Sequence, residues 1–230
     1  MIPASVKRFS RFLLRGVDPH ATVSYAQEGE DLILLRLFGN AHRGFYVDVG
    51  AHHPSRFSNT CALYQRCWCG INIDANPAAI DEFRKHRPSD INVCTGIAEA
   101  AGSLTFYRFN EAALDTFDPA LAAQRSALPG YRLIDRSEVM VRRLDEVLTE
   151  HLPKGQGIDI LSVDAEGYDL QVLKSNDWTR FRPRVLLVEA RGTDIDKLSA
   201  EPSCVFARTV GYRPVAKTIN TVILRDNVSA

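Results

Sequence analysis

Long apolar segments are absent from this 230-residue sequence. Runs such as residues 185–188 are far shorter than the roughly 20 apolar residues that a membrane-spanning helix needs. The N-terminus also lacks the apolar core and small-residue cleavage site of a secretory signal. We therefore expect a protein that stays in the cytoplasm.

An excess of charge of either sign is also missing, because 28 Lys and Arg side chains balance 28 Asp and Glu side chains. A chain without net charge has no general field that attracts nucleic acid, so we expect no nucleic-acid partner. The 5 cysteines are an odd number, and nothing completes a zinc site beside Cys67 and Cys69. Reduced thiols are therefore the simpler interpretation.

A basic and apolar segment stands near the N-terminus. Residues 6–16, VKRFSRFLLRG, place lysine and arginine among valine, phenylalanine and leucine. Such a segment can form an amphipathic helix that rests on the inner face of a membrane or contacts a partner enzyme. A terminal helix packed on its own domain is the simpler alternative. We assign residues 1–23 to this segment and residues 24–230 to a single domain, and leave the oligomeric state open.

Short apolar runs bounded by turn residues are typical of strands that are buried on both faces. They lie at residues 44–50, 69–75, 91–98, 159–165 and 184–190. Helical patterns lie at residues 27–38, 78–86, 138–152, 169–178 and 203–211. The alternation predicts an α/β fold, with a mostly parallel, Rossmann-like sheet and helices on both faces. Runs at residues 213–219 and 221–226 predict a closing antiparallel hairpin, and residues 110–137 are either an insertion over the site or a mobile loop.

The ends of the first three strands predict a nucleotide-like ligand, because ligands of such sheets bind beyond the carboxyl ends of the strands. The first strand ends in Asp48, Gly50 and Ala51, where glycine allows close approach to the backbone and aspartate accepts hydrogen bonds. Asp74 and Ala75 end the second strand, roughly 20 residues further on, where a carboxylate can accept from both ribose hydroxyls. At the end of the third strand, the apolar Ile97 can enclose an adenine ring. The turn lacks the later glycines of the dinucleotide fingerprint, which a ligand without a pyrophosphate does not need.

Acidic residues cluster after the fourth strand, in VDAEGYD at residues 163–169. Asp169 is expected to cap the following helix, which leaves Asp164 and Glu166 for the reaction. Glu189 ends the fifth strand, so Asp164 and Glu189 can face each other as oxygen ligands of Mg²⁺. Hydrogen-bond acceptance without any metal is the alternative.

Two histidines follow the first turn directly. A neutral imidazole there can take a proton from an attacking hydroxyl near neutral pH. We favour His53 for this role, although His52 is an equal neighbour in the sequence and either ring can be a structural hydrogen-bond donor.

Four blocks of the sequence resemble the FkbM-type methyltransferases. They are YAQEGEDLIL (25–34), GFYVDVGAHHPSRFSNT (44–60), GINIDANP (70–77) and LSVDAEGYDLQVLKS (161–175), in the order of the family and with RVLLVEA behind them. The resemblance implies a class I methyltransferase fold, S-adenosylmethionine as donor, and transfer to oxygen, commonly a sugar hydroxyl of a glycan or natural product. Many members have Asn or another small polar residue where His52 stands.

The resemblance distributes the predicted residues between two ligands. The residues Asp48, Gly50, Ala51, Asp74, Ala75, Ile97 and Asp164 would hold the donor. The residues His53, Asp164 and Glu166 would act on the acceptor. A donor-binding scaffold without turnover in a glycan-assembly complex and a nicotinamide-dependent oxidoreductase are the alternatives.

Overall fold

The structure is a computed structural model that describes residues 21–39 and 41–227. The basic segment at residues 6–16 lies outside the described residues, so its contact with a membrane or a partner stays a prediction. Within the described part of the chain, no helix combines the length and the apolarity that crossing a membrane requires.

The strands of the described residues form a large sheet and a small second sheet. In chain order the strands are β1 (Phe45–Val49), β2 (Cys69–Asp74), β3 (Ile91–Cys94), β4 (Gly96–Ile97), β5 (Gly102–Phe109), β6 (Leu133–Arg142), β7 (Ile160–Val163), β8 (Val185–Glu189), β9 (Tyr212–Lys217) and β10 (Thr221–Asp226). Seven of them form the large sheet in the order β3-β2-β1-β7-β8-β10-β9, and β4, β6 and β5 form the small one. Strands β3, β2, β1, β7 and β8 are parallel, whereas β10 runs antiparallel to both β8 and β9. The mostly parallel sheet with its closing hairpin is confirmed.

Helices connect the strands. They are α1 (Glu30–Phe38), α2 (Cys61–Tyr64), α3 (Pro77–His86), α4 (Pro119–Ser126), α5 (Leu144–His151), α6 (Asp169–Lys174) and α7 (Pro202–Thr209). Proline suits the first position of a helix, where its missing N–H costs nothing. At α3 and α4 the preceding Asn76 and Asp118 cap the backbone donors with their side chains. Gly39 ends α1 with a φ of 72°.

Helices cover both faces of the large sheet, because its strands bury side chains on both sides. One face, with Val47 and Leu186, packs against Leu148 of α5 and other apolar side chains from α6 and α7. The opposite face, with Tyr46 and Leu187, packs against α1 and α2. The sheet is therefore rigid where its strands end, which is where the site lies.

The helix predicted over residues 138–152 is wrong in its first part. Residues up to Arg142 belong to β6, which pairs antiparallel with β5, and the helix begins only at Leu144. Val139 and Val141 alternate with exposed residues and face a small core that contains Phe106. A period of two at the start of the segment was thus mistaken for a continuation of the helical period that follows.

The strand predicted over residues 91–98 divides in two. β3 belongs to the large sheet, whereas β4 pairs with β6 in the small one. The aperiodic stretch at residues 110–137 contains a 3₁₀ turn at Ala112–Leu114, helix α4 and the start of β6. Of the two alternatives for this stretch, the structure matches an insertion that covers the site.

Candidate active site

A cavity of about 350 Å³ opens at the carboxyl ends of the parallel strands. The sheet contributes one wall, and residues 111–117 of the insertion contribute the other. The predicted residues that line it are Asp48, Gly50, Ala51, Asp74, Ala75, Ile97, Asp164 and Glu166. His53 and Glu189 are not among its lining residues. Residues distant in sequence therefore meet at one place, as the strand ends predict.

The turn after β1 is shaped around Gly50. Its φ is 75°, a left-handed conformation that favours glycine. The amides of Gly50 and Ala51 both donate to the carbonyl oxygen of Ile73, at 2.9 and 3.2 Å. A Cβ atom on Gly50 would lie 1.8 Å from the carbonyl oxygen of Asp164. Only glycine therefore allows the turns after β1 and β7 to meet at the floor of the cavity.

Asp74 closes β2 and faces the same cavity. One carboxylate oxygen accepts from the amide of His52 and the other from the amide of Asn76, both at 2.8 Å. Burial raises the pKa of this carboxyl, and the two amides oppose that shift. Because a carboxylate offers about four acceptor positions, Asp74 can hold the turn and still accept from ligand hydroxyls.

Three carboxylates meet beyond β7 and β8. One oxygen each from Asp164, Glu166 and Glu189 lie within 4.8 Å of one another. The Arg191 guanidinium donates to Glu166 at 2.8 Å and also to Glu189, and Arg125 donates to the second oxygen of Glu166. Both carboxylate oxygens of Glu166 therefore accept a hydrogen bond from an arginine.

Asp164 is the member of this cluster without a protein partner for a buried oxygen. Its Oδ1 is buried and has no hydrogen-bond partner among the described residues. Burial, then the charges of Glu189 and Glu166, raise its pKa well above the ordinary range. Burial and the Glu166 carboxylate likewise raise the pKa of Glu189 to about 8. Asp164 thus lines the cavity and keeps one buried oxygen for which the described residues supply no donor.

Comparison with known proteins assigns the chain to a family. Residues 48–213 match the model of the methyltransferase FkbM domain. The chain belongs to this family. The match covers the strand ends and every lining residue of the cavity except Gln27, and the sheet order is that of the expected class I methyltransferase fold. No curated protein matches the chain.

Solved structures of methyltransferases are similar to this chain at low identity. The FkbM methyltransferase of Methylobacillus flagellatus is 12% identical, with a TM-score of 0.45 over 80% of this chain. The match covers 43% of that protein, so this chain spans less than half of its length. A TehB-like methyltransferase of Corynebacterium glutamicum is 11% identical, with a TM-score of 0.42 over 97% of this chain and 96% of that one. An O-methyltransferase of Bacillus cereus, in complex with SAH, is 14% identical, with a TM-score of 0.41 over 96% of both chains.

The two histidines of this FkbM-family chain occupy different environments. Nδ1 of His53 accepts from the amides of Ser55 and Arg56, at 3.1 and 2.9 Å, and so holds the turn that follows. His52 has a φ of 56° and lines the cavity, and its buried Nε2 has no partner among the described residues. Burial lowers the pKa of His52, which favours the neutral ring. A proton-acceptor role for His53 stays a prediction that this geometry does not favour.

Asp48 also lines the cavity. The side chain is buried, and one oxygen accepts from the Thr60 hydroxyl at 2.8 Å. Burial raises the pKa of this carboxyl, whereas the Thr60 bond and the nearby Arg87 charge lower it. The contact of Asp48 with a donor stays a prediction. Its hydrogen bond with Thr60 stabilises the segment that follows the turn.

Asp169 does not cap α6 in the way expected. Its carboxylate accepts from the amides of Ala165 and Gly167, at 2.9 and 3.3 Å, and α6 has no side-chain cap. The reason is the tight turn before it, where Glu166 has a φ of 49° and leaves amides that need an acceptor. Asp169 therefore supports the carboxylate turn rather than the helix end.

Asp115 is a cavity residue that the sequence did not reveal. Its oxygens accept from the amide of Phe109 at 2.7 Å and from Nδ2 of Asn76 at 3.1 Å. Burial, with the nearby Asp74 charge, raises the pKa of Asp115 to about 7. It lies in the aperiodic insertion, where no pattern distinguishes it from a surface residue. The insertion thus brings a second carboxyl next to Asp74.

We expect Asp115→Asn to change how stability depends on pH. The pKa of this carboxyl is about 7 in the folded chain, against an ordinary value of 3.8. The folded state therefore binds the proton more tightly, and stability is lost as the pH rises from 3.8 to about 7. The asparagine variant lacks this loss, so its melting temperature relative to wild type should be higher at about pH 8 than at about pH 5. Asp81→Asn, an exposed residue of α3, is the control, and an equal difference at both pH values would contradict the prediction.

Proposed function

We propose that this protein transfers a methyl group from S-adenosylmethionine to a hydroxyl of a sugar, in a glycan or a glycosylated natural product. The observation that carries the proposal is one cavity, in a chain of the FkbM family, that joins the Gly50 turn, the Asp74 carboxylate and the Asp164 carboxyl. The bound donor would supply an electrophilic methyl group on a positively charged sulfur.

The residues present fit such a donor. Asp74 can accept from the ribose hydroxyls, while Ala75 and Ile97, together with Phe106 and Phe117, give the adjoining wall an apolar surface for a purine. Gly50 and Ala51 line the cavity, so a donor can approach the backbone of the first turn. The carboxylates Asp48 and Asp164 can face the cationic methionine end.

The chain's own contribution to the reaction is position, exclusion of water and a proton acceptor. The acceptor oxygen would attack the methyl carbon as the carbon–sulfur bond breaks, which would release S-adenosylhomocysteine, and the hydroxyl proton would pass to a side chain of the protein. Among the predicted residues, Asp164 suits this step best, because it lines the cavity and because burial raises the pKa of its carboxyl, which strengthens it as a proton acceptor. Glu166 is held by Arg125 and Arg191 and would position the turn.

Mg²⁺ at Asp164 and Glu189 is a separate question. Carboxylate oxygens at this spacing are suitable ligands for the ion. However, Arg191 already pairs with Glu189 and Glu166, and a second cation beside it would be repelled. We therefore favour transfer that does not require the metal.

The cytoplasmic location also stays a prediction.

The proposal is tested with methyl-labelled donor and extracted glycans, with and without a chelator. We expect label in the glycan fraction in both cases, and much less label with Asp164→Asn. A loss of transfer in chelator that added Mg²⁺ restores would instead assign the carboxylates to a metal. Donor binding without transfer to any fraction would favour the scaffold, and binding of reduced nicotinamide instead of the donor would favour the oxidoreductase.

A further inference from the structure

Phe57 is an exposed aromatic residue in a conformation that costs energy. Its φ is 58°, a left-handed value that is rare for a bulky side chain. The residue is 43% exposed, so burial of its ring does not offset the strain. It also lines the cavity. Strained residues of this kind are concentrated at functional sites.

The segment around Phe57 is fixed from beneath by a buried cation. Arg87 is 1% exposed, and it donates to Ser58 Oγ at 2.8 Å, to Thr60 Oγ1 at 2.7 Å and to the carbonyl oxygen of Pro54. A buried guanidinium is costly unless such acceptors satisfy it. The hydrogen bonds of the buried Arg87 therefore fix the loop on both sides of Phe57, whereas the Phe57 side chain stays exposed to solvent. The Phe57 ring itself lies beside the His52 ring, with 6.4 Å between the ring centres and an interplanar angle of 20°.

Polar groups stand beside the ring at the mouth of the cavity. The Arg56 guanidinium lies 4.5 Å from the centre of the Phe57 ring. It also donates to both oxygens of Glu111, at 2.9 and 3.0 Å. Arg56, Glu111 and a second exposed aromatic residue, Tyr131, all line the same cavity. An aromatic face is thus combined with hydrogen-bond donors and acceptors that are accessible to solvent.

We propose that Phe57 is the stacking surface for a pyranose ring of the acceptor. The C–H face of a sugar ring carries slight positive charge and suits the negative face of an aromatic ring. The guanidinium of Arg56 and the carboxylate of Glu111 can donate to and accept from the hydroxyls at the ring's edge. This inference rests on the proposed function and deepens it, because it names the part of the site that selects a sugar over other hydroxyl compounds.

Saturation-transfer NMR with defined glycosides tests the stacking. The probes are methyl glucoside, methyl mannoside and methyl rhamnoside, with S-adenosylhomocysteine present. We expect saturation at ring C–H protons of at least one probe, roughly 10-fold weaker binding with Phe57→Ala, and retained binding with Phe57→Trp. Val205→Ala, on α7 and similarly exposed, is the matched control.

Two further measurements separate this role from others. Calorimetry should show unchanged affinity for S-adenosylhomocysteine in Phe57→Ala, because the proposed role of the ring is contact with the acceptor and not with the donor. Phe57→Gly should not lower the melting temperature, since glycine relieves the strain at this φ, yet it should lose glycoside binding. The inference is overturned if Phe57→Ala binds the probes as wild type does, or if no probe binds although S-adenosylhomocysteine does. Failure to bind S-adenosylhomocysteine or the donor would instead remove the proposed function, and this inference with it.

Discussion

Replacement of Gly50 by alanine is expected to abolish donor binding and to destabilise the fold. The new Cβ would lie 1.8 Å from the carbonyl oxygen of Asp164, which is backbone and cannot rotate away. Alanine is also strained at a φ of 75°. The turns after β1 and β7 must therefore move apart, at a cost of about 2–4 kcal/mol in the free energy of unfolding. Thermal unfolding and calorimetry with S-adenosylmethionine measure the two effects.

Gly102→Ala is the control for this substitution. A Cβ at Gly102, in β5, meets no atom within 4 Å, so this variant should unfold and bind donor as the wild type does. If Gly50→Ala bound donor with unchanged affinity, the first turn would not be part of the donor site.

Replacement of Asp74 by alanine is expected to weaken donor binding by about 100-fold. A hydrogen bond to a charged group contributes about 1.5–3 kcal/mol, and the proposed pair of ribose hydroxyls loses its acceptor. The amides of His52 and Asn76 also lose their partners, so some loss of stability is expected. Calorimetry measures the affinity, at a temperature where circular dichroism shows that the variant is folded.

Two companion variants make the Asp74 result specific. Asp74→Asn retains one acceptor oxygen and should lose less affinity than alanine. Asp81→Ala removes an exposed carboxylate of α3 and should leave affinity unchanged. If Asp74→Ala kept the wild-type affinity, the ribose assignment would be wrong, whatever else the cavity binds.

The sequence predicts the strands best where an apolar run in the sequence is also buried in the folded chain. β1, β2, β7 and β8 are predominantly apolar because both of their faces are covered by helices. The end of β6 resembles a helix in sequence because its period of two runs directly into the helical period of α5. β3 and β4 divide because they pair within different sheets, which the apolar pattern does not reveal.

The candidate site divides in the same way. Gly50, Asp74 and Asp164 were predictable because parallel strands end at one edge of a sheet. The arginines that neutralise Glu166 were not, because Arg125 comes from the insertion and reaches the turn only in three dimensions. The choice between His52 and His53 depends on one backbone angle, which no spacing reveals.

Acidic residues before and at the start of α1 show a further limit of local interpretation. Glu28 accepts from the backbone and side chain of Asn220, and Glu30 accepts from the Thr218 hydroxyl at 2.6 Å. A helix dipole explains acidic residues there only in part. These contacts attach the start of α1 to the loop between β9 and β10.

Calorimetric titration of the wild-type protein with S-adenosylmethionine tests the central claim most directly. The claim is that the cavity at the strand ends holds this donor. It predicts saturable binding at one site per chain, which S-adenosylhomocysteine competes for and reduced nicotinamide does not. A folded protein that shows no binding of S-adenosylmethionine would contradict it.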